Sequence, residues 1–204
     1  MVVQVLLSVL AYLVGSIPVG VLVGRAYGFD PREVGSGNVG MTNVARVGGA
    51  GPAALTFVGD MLKGLMPVCL ARLVAADEFT LVLVGLFTFL GSVSSVFLGF
   101  RGGKGVAAAL GVWLGVAPPA IFVALAVFLA VLYWRRVVSL ASLAAALILP
   151  VAVAVLSYPR DYLGLALLVS GVVVYRHRAN IGRLISGQEP RIGAKAQSVA
   201  AADN

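Results

Sequence analysis

The chain has 204 residues, 60% of them hydrophobic and 11% charged, with fifteen Lys and Arg against eight Asp and Glu. Soluble domains carry about 45–50% apolar and about 25% charged residues, so this composition excludes an ordinary soluble domain and describes a polytopic membrane protein. The net charge of +7 comes with few aromatic residues, none interleaved with the basic ones, which excludes nucleic acid as a partner and fits a positive-inside topology.

In chain order, apolar segments fall at Val3–Gly24, Ala53–Leu73, Phe79–Leu98, Val106–Ala117, Ala120–Trp134, Val138–Leu156 and Tyr162–Tyr175. The first has no Lys or Arg before it and reads as a retained membrane helix rather than a signal peptide. A full span needs about 20 residues. Val106–Ala117, Ala120–Trp134 and Tyr162–Tyr175 are short, and Pro118-Pro119 predicts a turn between the first two of these. Gly15-Ser16-Ile17-Pro18 predicts a kink in the first span, with Ser16 repairing a backbone bond. Gly20/Gly24 and Gly111/Gly115 form GxxxG pairs suited to close helix packing. The expected fold is all-α: one transmembrane domain over residues 1–194 and a short polar tail over 195–204 that frays.

Twelve of the fifteen cations fall on one side if the segments alternate: Arg25, Arg32, Arg46, Arg101, Lys104, Arg135, Arg136, Arg176, Arg178, Arg183, Arg191 and Lys195. Arg72 and Arg160 fall on the other, and Lys63 lies within a span. The asymmetry predicts a seven-helix bundle with its N-terminus outside and its C-terminus in the cytoplasm. No internal repeat is evident, which weighs against transporter folds built on duplicated halves.

Cys69 is the only cysteine and His177 the only histidine. Intrachain disulfides, cysteine-rich metal sites and histidine-ligated zinc are therefore excluded, and neither metal nor cofactor is expected. Cys69 reads as a small buried hydrophobe.

The polar residues concentrate in the cytoplasmic loops. Phe100–Gly105 reads FRGGKG and opens onto a helix from Val106. Glycines let a backbone approach a ligand, Lys104 supplies a point charge suited to phosphate, and a helix start adds unpaired N–H groups and the positive end of a dipole. Gly102, Gly103 and Gly105 are thus candidate phosphate-binding positions. The competing reading is a basic turn that only sets topology. Gly35–Arg46 reads GSGNVGMTNVAR. Here Ser36, Asn38, Thr42 and Asn43 offer uncharged polar groups, Gly40 permits close approach, and Arg46 adds a planar fork for phosphate oxygens. The alternative is a flexible loop with a helix cap at Ser36 or Asn38. Asp60 and Lys63 share one face of the second span, as a functional pair or a structural ion pair. His177 and Asn180 share one helical face, and Arg183 and Glu189 are placed to tie that segment to the other loops.

Together these stretches resemble PlsY, the family of membrane glycerol-3-phosphate acyltransferases that use acyl phosphate. The likeness covers nearly the whole chain, in GSIPVG at Gly15–Gly20, SGNVGMTNVAR at Ser36–Arg46, DMLKG at Asp60–Gly64, FLGFRGGKGVA at Phe97–Ala107, SLAS at Ser139–Ser142, and HRANIGRL with the later GQE. The resemblance implies a seven-helix membrane bundle in the bacterial inner membrane, with its active site toward the cytoplasm. It implies acyl transfer from acyl phosphate to the 1-hydroxyl of glycerol 3-phosphate, giving lysophosphatidic acid and phosphate. It implies catalytic or binding roles for Ser36, Arg46, Lys104, His177 and Asn180, and places near the phosphates for Thr42, Asn43, Gly102, Gly103 and Ser142. Arg46 and Ser36 would hold glycerol 3-phosphate; Lys104, the Gly102–Gly105 backbone and Ser142 would hold acyl phosphate. His177 would be a phosphate ligand, with a substrate phosphate oxygen as proton acceptor. The partners implied are the two substrates, membrane lipids and an upstream enzyme that forms acyl phosphate. A membrane transporter or channel for a phosphorylated solute is the rival reading. The chain departs from the family pattern at Ser92, where the family usually has histidine, at Ser95, where it has proline, and at Met41, where it often has alanine.

Overall fold

The computed structural model describes residues 2–74 and 76–193; the tail expected at 195–204 lies outside them. All seven apolar segments are helical. The helices are α1 (Val2–Ser16), α2 (Val19–Ala26), α3 (Met41–Gly48), α4 (Ala50–Leu73), α5 (Glu78–Val93), α6 (Val106–Val116), α7 (Pro118–Arg135), α8 (Val138–Val155), α9 (Arg160–Arg176) and α10 (Arg178–Ile185), with a 3-10 turn at Val96–Leu98. By length and apolar composition, α1–α2 taken together, α4, α7 and α8 can each cross a membrane, while α5 and α6 are shorter apolar helices.

The chain packs as neighbouring pairs, α1 along α5, α4 along α6, α7 along α8, and α9 between α8 and α5. Small residues bring these pairs together. A Cβ on Gly15 would strike the Thr88 carbonyl of α5, and one on Gly111 would strike the Met61 carbonyl of α4. Such contacts replace hydrophobic driving force where lipid is as apolar as the helix surface. Of the two GxxxG pairs, Gly111/Gly115 packs α6 on α4; Gly20 faces both Thr56 of α4 and Val39, and Gly24 admits the Phe29–Pro31 segment of the first loop. The core centres on α6, where Val112 and Trp113 are fully buried against Phe89, Val116 and Leu165.

Three sequence expectations need correction. Pro118 and Pro119 do not occupy a turn but the first two positions of α7, where their missing N–H groups would be unpaired in any case; the turn is at Ala117. Cys69 is exposed on the outside of α4 rather than buried. The break at Ile17-Pro18 is real, but Ser16 does not repair it, since its hydroxyl is buried without a partner. The freed carbonyls are met from other elements. Ser95 Oγ donates to Ser16 O at 2.6 Å, and Lys63 Nζ donates to Ile17 O at 2.8 Å. Ile17 O also accepts from the Val19 N–H at 3.0 Å; since an unmet backbone group in lipid costs several kcal/mol, these bonds together make the break tolerable. Lys63 is also paired with Asp60 at 2.8 Å, which makes this a structural ion pair with a second duty as a cap.

Candidate active site

The segment between α2 and α3 is organised by Asn43. Its Oδ1 accepts from the Ser36 N–H at 2.7 Å, and its Nδ2 donates to Pro31 O at 2.9 Å and Val34 O at 3.1 Å. Buried to 1% exposure, Asn43 spends its side-chain amide on the loop itself. Asn38 Oδ1 accepts from the Gly40 N–H at 2.9 Å, and Gly40 leads into α3 as an extended N-cap with no side-chain cap. Neither Ser36 nor Asn38 caps the helix. The same side of the segment carries Thr42, half-buried in the first turn of α3, and Arg46, exposed in its last turn. Asp30 holds Arg25 at 3.7 Å and Arg32 at 2.5 Å. Arg46 has no ion-pair partner among the described residues.

The glycine loop is pinned between α5 and α9. The Gly103 N–H donates to Ser92 O at 3.2 Å, so it is not available to a phosphate. Gly102 lies on the Ser92–Val93 backbone so closely that a Cβ would meet the Val93 carbonyl carbon at 2.6 Å. Gly105 takes a left-handed conformation (φ 76°) as the N-cap of α6, and no side chain caps that helix. The N–H groups of its first turn are thus left without a side-chain acceptor, a ready anion site. Gly103 also approaches Asn38 and Val39, which brings the first loop against the glycine loop as expected.

From the other end, His177 stands at the corner between α9 and α10, 2% exposed, and Asn180 lies one turn on, 5% exposed. Lys104 Nζ donates to Asn180 Oδ1 at 2.5 Å. Asn180 Nδ2 donates to Glu189 Oε1 at 2.5 Å. Glu189 also accepts from Ser139 Oγ at 2.7 Å and from Arg183 Nε at 2.7 Å. Burial pushes the Glu189 carboxyl up, but these three hydrogen bonds outweigh it and hold it below its usual range. The amide of Asn180 is therefore oriented by its neighbours, oxygen toward the cation and nitrogen toward the carboxylate. Ser142, expected near the phosphates, donates to Val138 O at 2.9 Å within α8. Ser139, one turn earlier in the same motif, is the serine that enters the network. The SLAS pattern alone gave no way to choose between them.

The electrostatics are lopsided. Lys104 is half-buried without a carboxylate partner of its own. Burial is the main force lowering its pKa to about 8; Glu189 raises it, while Arg183, Arg46 and Arg176 lower it further. Arg46 and Lys104, 58 positions apart in sequence, thus share one electropositive cluster. His177 is pushed below the usual imidazole value by burial and by Lys104, against a raising hydrogen bond to Val173 O and the charge of Glu189. Its Nδ1 lies 2.8 Å from Val173 O. A carbonyl only accepts, so Nδ1 carries the proton and Nε2 presents the lone pair. A cavity of about 140 Å³ adjoins Glu189 between Arg135 and Arg191; neither Lys104 nor Arg46 lines it, so it is distinct from this cluster. Among the described residues no group of His, Cys, Asp and Glu is placed to hold a metal ion.

The sequence model of glycerol-3-phosphate acyltransferases matches residues 5–187. The glycerol-3-phosphate acyltransferase of Geobacter sulfurreducens is 46% identical over 191 residues, covering 94% of this chain and 98% of that protein. The corresponding protein of Aquifex aeolicus is 42% identical, covering 91% and 97%. Among solved structures, PlsY, an integral membrane glycerol 3-phosphate acyltransferase in its glycerol 3-phosphate form, superposes with a TM-score of 0.89 at 42% identity, covering 93% of this chain and 96% of that one. Its lysophosphatidic acid form gives a TM-score of 0.87 at 41% identity, covering 93% and 95%. With near-complete coverage in both sequence and fold, the transporter reading gives way, and the chain belongs to the glycerol-3-phosphate acyltransferase family.

Proposed function

We propose that this chain transfers a fatty acyl group from acyl phosphate to the 1-hydroxyl of sn-glycerol 3-phosphate, releasing phosphate and lysophosphatidic acid. It does so as a seven-span protein of the bacterial inner membrane, N-terminus outside, with Arg46, Lys104 and His177 on the cytoplasmic side. The observation that carries this reading is the Lys104 ammonium, bonded to the neutral Asn180 amide at 2.5 Å amid Arg46, Arg176 and Arg183. Glu189 is the one nearby carboxylate acting on this lysine, against three arginines, and the excess positive charge is matched by substrates that each bring a phosphate. The two solved relatives, in glycerol 3-phosphate and lysophosphatidic acid forms, support the acceptor and the product.

Acyl phosphate is already activated, so alignment and charge stabilisation supply most of the catalysis. Arg46, with Ser36 and Thr42 beside it, takes the phosphate of the acceptor. Lys104 and the first-turn N–H groups of α6 take the phosphate of the donor. Beside its expected place at the phosphates, His177 offers its Nε2, left free by the contact of Nδ1 with Val173 O, to the proton of the 1-hydroxyl. The hydroxyl oxygen attacks the acyl carbon, the bond from that carbon to the phosphate oxygen breaks, and the hydroxyl proton, taken up at His177 Nε2 as the attack proceeds, passes to the departing phosphate. No covalent acyl-enzyme is needed. The donor is supplied by an enzyme that makes acyl phosphate, and the product remains in the surrounding lipid.

Purified protein incubated with labelled glycerol 3-phosphate and, in parallel, acyl phosphate, acyl-CoA and acyl carrier protein donors tests this directly. Labelled lysophosphatidic acid is expected from acyl phosphate alone. Product from a thioester donor and none from acyl phosphate would overturn the donor assignment.

A further inference from the structure

Arg176 has no part in the scheme above, yet it makes the most direct contact with the glycine loop. Its Nε donates to Gly103 O at 3.1 Å, and its second terminal nitrogen donates to Gly102 O. No carboxylate pairs with it among the described residues, so its charge is spent on two backbone carbonyls beside an already cationic cluster. We infer that Arg176 is a positioning residue for acyl transfer: by gripping the Gly102 and Gly103 carbonyls it fixes the loop that presents Lys104 and the start of α6. This inference rests on the proposed reaction.

Three observations converge on it. First, in a trans peptide the carbonyl and the following N–H point in opposite directions. Holding Gly102 O and Gly103 O on the α9 side therefore turns the N–H groups of Gly103 and Lys104 away from it, and the Gly103 N–H does end on Ser92 O of α5. Second, two consecutive glycines cost more entropy to order than any other pair, about 1–2 kcal/mol per residue for the backbone. A loop of this kind needs ties from outside itself. On the α5 side the tie to the two glycines is backbone only, because the Ser92 hydroxyl turns back to Phe89 O at 2.7 Å and the Ser94 hydroxyl reaches only Phe100 O. Arg176 is the side chain that holds the loop. Third, Arg176 immediately precedes His177, so a single turn of chain fixes the loop and the histidine relative to one another. A planar two-pronged guanidinium suits two adjacent carbonyls, where a lysine would reach one.

The test compares Arg176→Gln and Arg176→Lys with the parent enzyme in the same detergent. Four quantities are read: kcat and KM with acyl phosphate and glycerol 3-phosphate, the pH profile, the melting temperature, and hydrogen exchange of a peptide spanning Arg101–Gly105. For Arg176→Gln, kcat/KM is expected to fall about a hundredfold, the scale of a misplaced reacting group, while melting stays near the parent value and loop exchange rises at least about tenfold. The alkaline limb should also move to higher pH. Removing this charge relieves Lys104, which then faces only Arg46 on α3, Arg183 on α10, His177 at the α9–α10 corner and the opposing Glu189. Arg176→Lys should keep the limb in place and recover part of kcat/KM. Parent-like kinetics and exchange in Arg176→Gln would overturn the proposal. So would loss of the melting transition in both variants, which would make Arg176 a packing residue. If the parent enzyme makes no product from acyl phosphate, the reaction assigned above fails, while loop exchange still decides whether Arg176 holds the loop.

Discussion

Among the described residues two lysines are withdrawn from water, Lys63 buried and Lys104 half-buried, and they are treated in opposite ways. Lys63 lies inside the bundle, 9% exposed, with Asp60 at 2.8 Å and the Ile17 carbonyl at 2.8 Å. Its charge is neutralised on the spot and its donors are used to close a broken helix. Lys104 lies in a loop, bonded to an uncharged amide and surrounded by arginines. A charge that has been answered belongs to the fold; one left unanswered awaits a ligand. This contrast separates structure from function more sharply than burial does, since both side chains are withdrawn from water.

The contrast can be broken by substitution. Lys104→Met should lower kcat/KM by about 10³, the scale for losing a donor aimed at developing charge, with melting unchanged. Arg46→Gln should raise KM for glycerol 3-phosphate by about 10–100-fold through loss of a charge-assisted hydrogen bond, leaving KM for the donor close to its starting value. Lys63→Met should act on the other side of the comparison. It strands Asp60 and leaves Ile17 O with the Val19 N–H alone, at a cost of about 3–5 kcal/mol, visible as a lower melting temperature, while activity per folded molecule persists. Removing Asp60 and Lys63 together as Asp60→Leu and Lys63→Met should recover part of that loss.

The pH dependence follows from the same asymmetry. In the proposed reaction Lys104 holds phosphate as the ammonium, and its pKa is lowered to about 8. The fraction charged is full well below that pH and falls as pH rises through it, so kcat/KM should drop tenfold per unit on the alkaline side. Bound phosphate favours the ammonium, so the corresponding limb of kcat should lie higher. The smallest effect is expected at Ser92. Its carbonyl holds Gly103 and its hydroxyl serves Phe89 O, so Ser92→His should leave kcat/KM close to the parent value. A steep rise would mean that the histidine usual in the family does chemistry this chain has lost.

Much of this was legible in the sequence because local patterns report it. The apolar runs gave the helices, and the spacing of His177 and Asn180 placed both on the segment that meets Lys104. Two kinds of feature were not legible. One is who satisfies whom across the bundle: the Ile17-Pro18 break is visible as a motif, but that Lys63 and Ser95 meet its carbonyls depends on how α4 and the loop after α5 pack on α1. Ser95, a departure from the family pattern, supplies through its hydroxyl and N–H bonds that a proline could not. The other is which of several similar residues enters the site. Ser139 and Ser142 lie one turn apart, Asn38 and Asn43 share one loop, and Arg176 is one arginine among several. Only the fold shows that Ser139 reaches Glu189, that Asn43 turns inward and that Arg176 grips the glycines. The short helices α3 and α10 were legible only as a cap candidate and as the shared face of His177 and Asn180, because eight residues give too little periodicity to fix their bounds.

The chain has three lysines, Lys63, Lys104 and Lys195, so the ionisation of Lys104 can be followed directly in protein carrying ¹⁵N-labelled lysine, with Lys104→Arg to assign the signal. Titration should place its pKa near 8 in the free enzyme and move it up when glycerol 3-phosphate and inorganic phosphate are added. An ordinary value near 10.5, indifferent to both anions, would contradict the claim that this lysine is held uncompensated for phosphate.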